Sequence, residues 1–258
     1  MPSIDILTER LARSSIRLTT GGDLAFVTAG DPRRPALLLI HGFPSSADTF
    51  RTIIPTLAEV AYVAAPDLPA YGESDVLPET TFNNYAAVVG ELLDRLDVGE
   101  RFVCLHDYGA PVGLRIAMQR PELVRGLIIQ NANAHSTGQG PGRDDTRAFW
   151  AHPTTDNEAK ATAHLTFEGV RDQYVAGVPE AVARFDAISD YLRTSQPPAL
   201  MVWGRHDIFF DLAETVSWME DLPRMEAHIL DGGHFLLETH GPTAAVLMTD
   251  FVTRVCAK

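Results

Sequence analysis

Seven short apolar runs, separated by segments of helical periodicity, limit what this chain can fold into more than any other feature. They cover residues 24–30, 36–42, 60–67, 102–107, 126–132, 199–204 and 226–232. Leu, Ile, Val and Ala follow one another in them with little polar interruption, as in Ala36-Leu37-Leu38-Leu39-Ile40. A strand exposed on one face alternates apolar and polar residues, so nearly continuous runs belong to strands covered on both faces. Between the runs, residues 85–96, 109–121, 211–222 and 242–255 space their apolar side chains as helices do. The alternation predicts an α/β chain with a mostly parallel, doubly wound sheet and helices on both faces.

Residues 135–197 break that alternation. The interval opens on Ser136-Thr137-Gly138-Gln139-Gly140-Pro141-Gly142, continues as polar, Ala-rich, helix-prone sequence, and closes at Gln196-Pro197-Pro198. It holds no strand candidate. The expected organisation is a core of residues 1–134 and 198–258, with residues 135–197 as a helical cap (lid) over the C-terminal edge of the sheet.

A chain of 258 residues is long enough for one large core. Its formal net charge of −13 argues against nucleic acid or an anionic membrane as partner, since both reward clustered Lys and Arg. Cys104 and Cys256 are the only cysteines, which points to a reducing compartment and no disulfide framework. The first fifteen residues lack the apolar core of a secretion signal. No run approaches the roughly 18 apolar residues of a spanning helix. The expectation is a soluble, cytoplasmic protein acting on a small, mainly apolar molecule. No oligomeric state is specified by the pattern.

Several local features bear on chemistry. His41-Gly42-Phe43-Pro44 follows the run at 36–40 and reads either as an ordinary strand-to-loop turn or as a loop whose backbone N–H groups face an anion. Asp67 and Ser74, in Asp67-Leu68-Pro69-Ala70-Tyr71-Gly72-Glu73-Ser74, read as structural turn-formers. Asp107 stands between a strand and a helix beginning near Gly109, the place of a helix N-cap or of a nucleophile elbow. Gly109 suits the small residue an elbow needs two places on; Leu105, two places back, does not, and suggests a widened elbow. Asp207 and His234 each end a later strand, in Gly204-Arg205-His206-Asp207 and Gly232-Gly233-His234-Phe235. Singly they read as a turn aspartate and a surface histidine. Jointly they put nucleophile, acid and His in the chain order of an α/β-hydrolase.

With these motifs in place, the chain resembles the α/β-hydrolase superfamily over essentially its whole length. Within it, the segments 41–44, 106–109, 204–207 and 232–234 look most like the epoxide hydrolase and haloalkane dehalogenase branch, which uses Asp in place of Ser. The resemblance implies the α/β-hydrolase fold, with a helical lid inserted after the sixth strand. It implies Asp107 as nucleophile, His234 as base, Asp207 as the acid that orients it, and an oxyanion hole from the backbone N–H groups of Phe43 and Tyr108.

An ionised carboxylate suits attack on an sp³ carbon bearing a leaving group or a strained ring, giving an ester that a histidine-activated water then cleaves. Dehalogenases of this branch carry Trp after the nucleophile and often a second donor from Asn or Trp; Tyr108 and Phe43 stand there. Trp150 is a further indole candidate in the lid, with ordinary packing as its plainer role. Fluoroacetate dehalogenases place arginines beside the nucleophile, where this chain has Tyr108 and Pro111, which disfavours that substrate. Epoxide hydrolases protonate the ring oxygen from lid tyrosines, and Tyr174 and Tyr191 are the candidates. The leading expectation is an epoxide hydrolase. The alternatives are a haloalkane dehalogenase-like enzyme, and a non-hydrolytic tailoring enzyme or receptor on the same fold. His106 is expected to point away from the pocket by strand alternation, and His240 to cap a helix or brace a loop. No metal-ligand spacing or phosphate loop is present, and the chemistry calls for no cofactor.

Overall fold

The computed structural model describes residues 12–163, 175 and 180–257. Eight strands form one sheet in the order β1-β2-β4-β3-β5-β6-β7-β8: β1 Ser14–Arg17, β2 Asp23–Ala29, β3 Ala36–Ile40, β4 Tyr62–Pro66, β5 Arg101–His106, β6 Val124–Gln130, β7 Ala199–Gly204 and β8 Glu226–Leu230. The β1–β2 and β2–β4 pairs are antiparallel, and every other neighbouring pair is parallel. The seven predicted strands are all present. β1 is the addition, and with it the interval 135–197 follows the sixth strand. Its residues Ser-Ser-Ile-Arg are largely exposed at the sheet edge, so no apolar run marked them.

The helices are α1 Ile54–Leu57, α2 Phe82–Arg95, α3 Gly109–Gln119, α4 Asp144–Ala151, α5 Thr155–Ala161, α6 Phe185–Ser195, α7 Leu212–Asp221 and α8 Leu236–Cys256. Thr81 caps α2 by accepting from Asn84 N, and Asp211 caps α7 by accepting from Ala213 N. α8 starts earlier than its apolar pattern suggested. It runs through a kink at His240 and Pro242, where the His240 ring meets the Thr239 hydroxyl at 2.8 Å.

Strand alternation divides the core into two layers. Leu38, Ile40, Val103, Leu105, Leu127, Ile129, Met201 and Trp203 face α2, α3 and α7. Leu37, Leu39, Phe102, Cys104, Ile128, Leu200 and Val202 face α1 and α8. Both sets are buried, which is why the strands read as continuous apolar runs. The strand order reverses between β4-β3 and β3-β5, and the loops leaving the C-terminal ends of β3, β5, β6, β7 and β8 gather beside that reversal. Open α/β sheets bind their ligands there.

Between β6 and β7 the described residues form helices and contribute one isolated bridge, Gln139 to Phe210, outside the sheet. Gly138 and Gly140 lie so close to α7 and to the loop after β7 that a Cβ would stand 2.2 Å from Glu214 Cβ and from Ile208 O respectively. The glycine-rich segment is thus a tightly laid crossing. Among the described residues no helix is long and apolar enough to cross a membrane. Cys104 is buried in β5, its thiol pushed up to about 12 by desolvation, and Cys256 is a second free thiol.

Candidate active site

Asp107 sits on a turn that only a crowded, specific backbone permits. Its φ is +48°, in the left-handed region that non-glycine residues rarely enter. Two glycines make the crossing possible. A Cβ on Gly109 would stand 2.3 Å from the Ile40 carbonyl oxygen, and one on Gly42 would stand 2.3 Å from Asp107 Cβ. The space for Leu105 comes from Gly113 on α3, where a Cβ would meet Leu105 Cδ2 at 2.3 Å. A small residue one turn into the helix has replaced the one expected before the elbow.

The carboxylate is not a helix cap. Tyr108 occupies the N-cap position of α3 and makes no side-chain cap bond. Instead Asp107 Oδ1 accepts from two backbone amides, Phe43 N at 2.8 Å and Tyr108 N at 2.5 Å. Oδ2 lies 3.4 Å from His234 Nε2. His234 Nδ1 in turn meets Asp207 Oδ2 at 2.8 Å. Asp207 Oδ1 accepts from Phe209 N at 2.7 Å and Phe210 N at 3.0 Å, which anchors it without using its histidine-facing oxygen. Five residues named from the sequence, Phe43, Asp107, Tyr108, Asp207 and His234, therefore converge in one chain of contacts.

Electrostatics follow from that chain. Burial opposes charge on the His234 ring, but hydrogen bonds to Asp107 and Asp207 and their charges outweigh it and carry the ring up to about 9. Burial likewise opposes charge on Asp107; the His234 contact and the Phe43 amide reverse this and hold its carboxyl below the ordinary value. At neutral pH the resting pair is a carboxylate beside an imidazolium.

A residue that sequence reasoning passed over joins the two halves of this arrangement. Asn131, fully buried just after β6 with φ +41°, accepts Asp107 N on its carbonyl at 3.1 Å. Its Nδ2 donates to Asp207 Oδ2 at 2.8 Å, and its Oδ1 accepts Gly204 N at 2.9 Å. The available signal was an Asn ending an apolar strand, a residue type that tolerates positive φ. His106 lies, as alternation required, on the α8 side of the sheet. There its ring backs the His234 ring at 5.0 Å between centroids, and burial together with the nearby His234 charge lowers it to about 4. His41 is also structural: its Nε2 accepts Leu68 N at 2.8 Å, and its Nδ1 faces Gly42 O. The Asp67 turn reads as foreseen, with Ser74 Oγ donating to Asp67 O and Glu73 N to Asp67 Oδ2; the carboxylate is also paired with Arg13.

A cavity of about 250 Å³ opens above Asp107, Tyr108 and His234. Phe43, Pro44, Phe209 and Phe235 give it apolar walls, and Gly142 and Arg143 close one side. A second, small cavity of about 20 Å³ shares Asp107, Tyr108 and Arg143 and adds Asn133, Pro111 and Phe210. The lid candidates fare differently. Tyr191, on α6, packs its ring against the apolar layer beneath and lines neither cavity, because its position on that helix faces the core. Trp150 falls on α4, but its side chain, like Tyr174, lies outside the described residues. No group of His, Cys, Asp and Glu among the described residues is arranged to hold a metal ion.

An eight-stranded sheet with an elbow after β5 and a histidine after β8 defines the α/β-hydrolase class, and the comparisons agree. The α/β hydrolase fold family matches residues 35–172, and the chain belongs to that family. It is 29% identical to an uncharacterized hydrolase of Saccharomyces cerevisiae, over 87% of this chain and 91% of that one. It is 26% identical to a haloalkane dehalogenase of Mycobacterium marinum, over 85% of each chain. The solved structure of haloalkane dehalogenase DbeA from Bradyrhizobium elkani superposes with a TM-score of 0.76, at 20% identity, over 96% of this chain and 99% of that one. This chain is thus a hydrolase of the α/β type with dehalogenase-like relatives.

Proposed function

We propose that this protein hydrolyses a small epoxide through an ester formed on Asp107, without a cofactor. In this reading, residues 1–134 and 198–258 are the catalytic core in a cytoplasmic protein, and residues 135–197 are its cap. The observation that carries it is the Asp107 carboxylate itself: one oxygen lies on two amides and the other on the histidine, beneath an apolar cavity. Oδ2 attacks the carbon, the C–O bond of the ring breaks, and the ring oxygen takes a proton. Among the described residues lining the two cavities, Tyr108 alone carries a hydroxyl, which supports it as that donor.

The ester changes the histidine. Once Asp107 is neutral, its hydrogen bond and charge no longer hold a proton on His234; that proton passes through solvent to the phenolate that Tyr108 becomes on protonating the ring oxygen, and the imidazole becomes a base. His234 then takes a proton from water attacking Asp107 Cγ, Asp207 stabilises the imidazolium, and the negative charge develops on Oδ1 between Phe43 N and Tyr108 N. Collapse of this intermediate releases the alcohol carrying the former Oδ2, protonated by His234. Asp107 keeps the oxygen of water and passes the remaining water proton to His234, which restores the resting carboxylate and imidazolium.

Single turnover in heavy-oxygen water tests this directly. The expected result is label in the peptide containing Asp107 and none in the first-turnover product; label in the product alone overturns the ester. A haloalkane dehalogenase is the second reading, favoured by the M. marinum relative of that name. Tyr108→Phe separates the two, since it slows ring opening, which needs a proton, much more than release of a halide, which does not.

A further inference from the structure

Two cavities of very unequal size share Asp107, one of about 250 Å³ and one of about 20 Å³. The larger takes in His234 and the apolar walls of Phe43, Phe209 and Phe235, with room for a chain of several carbons. A space of the smaller size takes about one water-sized group. Pro111, Asn133, Ala181, Val182, Phe185 and Phe210 surround it, so it is a slot bounded by α3, by the loops after β6 and β7, and by the segment leading into α6.

The walls of this slot are tied to one another. Arg115, buried on α3, donates through Nη1 to the Pro111 carbonyl at 2.8 Å and through Nη2 to Glu180 Oε1 at 3.0 Å. Its Nε donates to Asn83 Oδ1 at 2.9 Å. Glu180 Oε2 accepts Phe82 N, at the start of α2, at 2.9 Å. One arginine thus fixes Pro111 in one wall and, through Glu180, the adjoining Ala181 and Val182 in another. Asn133 and Phe210 are held as well. Asn133 Nδ2 donates to His135 O at 2.8 Å while its Oδ1 accepts from Gln139 Nε2 at 3.1 Å, and Phe210 N donates to the Asp207 carboxylate.

We propose that Arg115 and Glu180 hold this slot to the size of one methyl group, so that the preferred substrates bear an apolar chain on one side of the reacting centre and at most a methyl on the other. The proposal rests on Asp107 being the nucleophile and names the substrate class of that site: terminal and methyl-substituted epoxides, or 1- and 2-halides where a halide leaves. In-line attack by the carboxylate fixes the reacting carbon, so its substituents point in set directions rather than sharing one open space. The large cavity accepts one of them over a range of lengths, whereas the slot sets a limit on the other. An ethyl group there overfills a space whose walls are bonded in place, and overfilling of that kind is costly. Arg115 and Glu180 line neither cavity. They are positioning residues, acting through Pro111, Ala181 and Val182.

A substituent series reads the slot. The epoxides 1,2-, 2,3- and 3,4-epoxyhexane, and likewise 1-, 2- and 3-bromohexane, present hydrogen, methyl and ethyl as the smaller substituent. Attack on carbon slows with substitution by itself, so the test is where the steepest drop lies and whether it moves. In wild type, kcat/KM is expected to fall at least tenfold between methyl and ethyl. Ala181→Val is expected to move that drop to between hydrogen and methyl, and Phe185→Leu to remove it. Glu180→Gln, which loosens the wall without entering the cavity, is expected to reduce the methyl-to-ethyl ratio at least threefold, mainly through KM. A drop that stays in place in both cavity variants overturns the proposal. An equal loss for all three substrates in Glu180→Gln also overturns it, since the ion pair would then be scaffold alone. Binding of the inert hexan-1-ol, hexan-2-ol and hexan-3-ol, followed by the NMR shift of the His234 imidazole, separates this proposal from the Asp107 reading because it needs no turnover. Hexan-3-ol binding at least tenfold more weakly than hexan-2-ol, with the gap moving in Ala181→Val, supports the slot even if heavy-oxygen labelling fails. Equal binding of the three alcohols to wild type overturns it even if labelling succeeds.

Discussion

Asp107 and His234 set each other's charge, and that coupling makes the site testable residue by residue. The hydrogen bond to Asp107 ranks just below burial in acting on the His234 ring, and the Asp107 charge acts in the same direction. In Asp107→Asn the anion is gone, as it is in the ester, so the His234 pKa is expected to fall from about 9. Titration of the imidazole by NMR in wild type and variant measures this, and an unmoved midpoint would show that Asp107 does not hold the proton. Asn131 gives a second test. Its Nδ2 donates to the Asp207 oxygen that faces His234, so Asn131→Asp replaces a donor by a second carboxylate while keeping a residue type that tolerates the backbone. Two buried carboxylates so close resist being ionised together. The expected outcome is a fall in kcat of about tenfold or more with its acid limb moved to higher pH; a profile that scales down without moving would reduce Asn131 to scaffold. Asp107, Asp207 and His234 were legible because each ends a strand with a distinctive neighbour. Asn131 was not, because its importance lies in a partner about 76 residues away, Asp207, which no local pattern records.

At the scale of elements, the strands were the most legible part of the molecule, since burial on both faces wrote them as unbroken apolar runs. The edge strand β1 and the start of α8 were not, because one is exposed and the other continues past a kink. The attachment of the insertion between β6 and β7 was also hidden. His135, at the start of the lid interval, bridges two carboxylates of α7: Nδ1 meets Glu214 Oε1 at 2.9 Å and Nε2 meets Asp221 Oδ2 at 3.0 Å. From the other end of the lid, Arg193 Nε donates to Asp221 Oδ1 at 2.7 Å and Gln196 Nε2 to Asp221 O at 2.7 Å. Both ends of the insertion thus clasp one helix. Burial works against charge on His135, and Glu214 and Asp221 more than offset it, raising its pKa. Removing one member of such a buried set leaves the others uncompensated, at about 3 kcal/mol or more. His135→Ala is expected to lose about that much in urea unfolding at pH 6, with His135→Gln losing less because an amide still bonds. A loss under about 1 kcal/mol would show that Arg193 holds the clasp by itself. The elbow makes a parallel demand: Gly109→Ala, forced against the Ile40 carbonyl, is expected to cost about 1–3 kcal/mol and to distort the nucleophile.

For the whole molecule, the buried histidines divide into two opposed pairs, and together they shape stability against pH. His234 and His135 have folded pKa values above the ordinary 6.5, so the stability they contribute is complete below that pH and is lost as pH rises through their folded values, about 9 for His234. His106 and His41 are held below 6.5, chiefly by burial, His106 at about 4. Their contribution is complete above 6.5 and is lost as pH falls, because the unfolded chain takes up protons that the folded chain refuses. Asp67 and Asp107, both lowered, add to the acid side as pH falls below the ordinary 3.8. The sum is a stability maximum near pH 6.5, declining on each side by up to about 1.4 kcal/mol per pH unit for each proton in question. The limbs are not independent, since the His106 and His234 rings touch and the charge of one depresses the other. Asp107→Asn lowers the pKa of His234, which relieves His106, and at the same time removes the Asp107 charge that favours a proton on His106, so the change falls mainly on the His234 limb. Chemical unfolding between pH 4 and 9 is therefore expected to give a dome for wild type and a flatter curve for Asp107→Asn, with the greatest change between pH 6.5 and 9. A variant curve parallel to that of wild type would mean that the proton on His234 is not held by the carboxylate beside it.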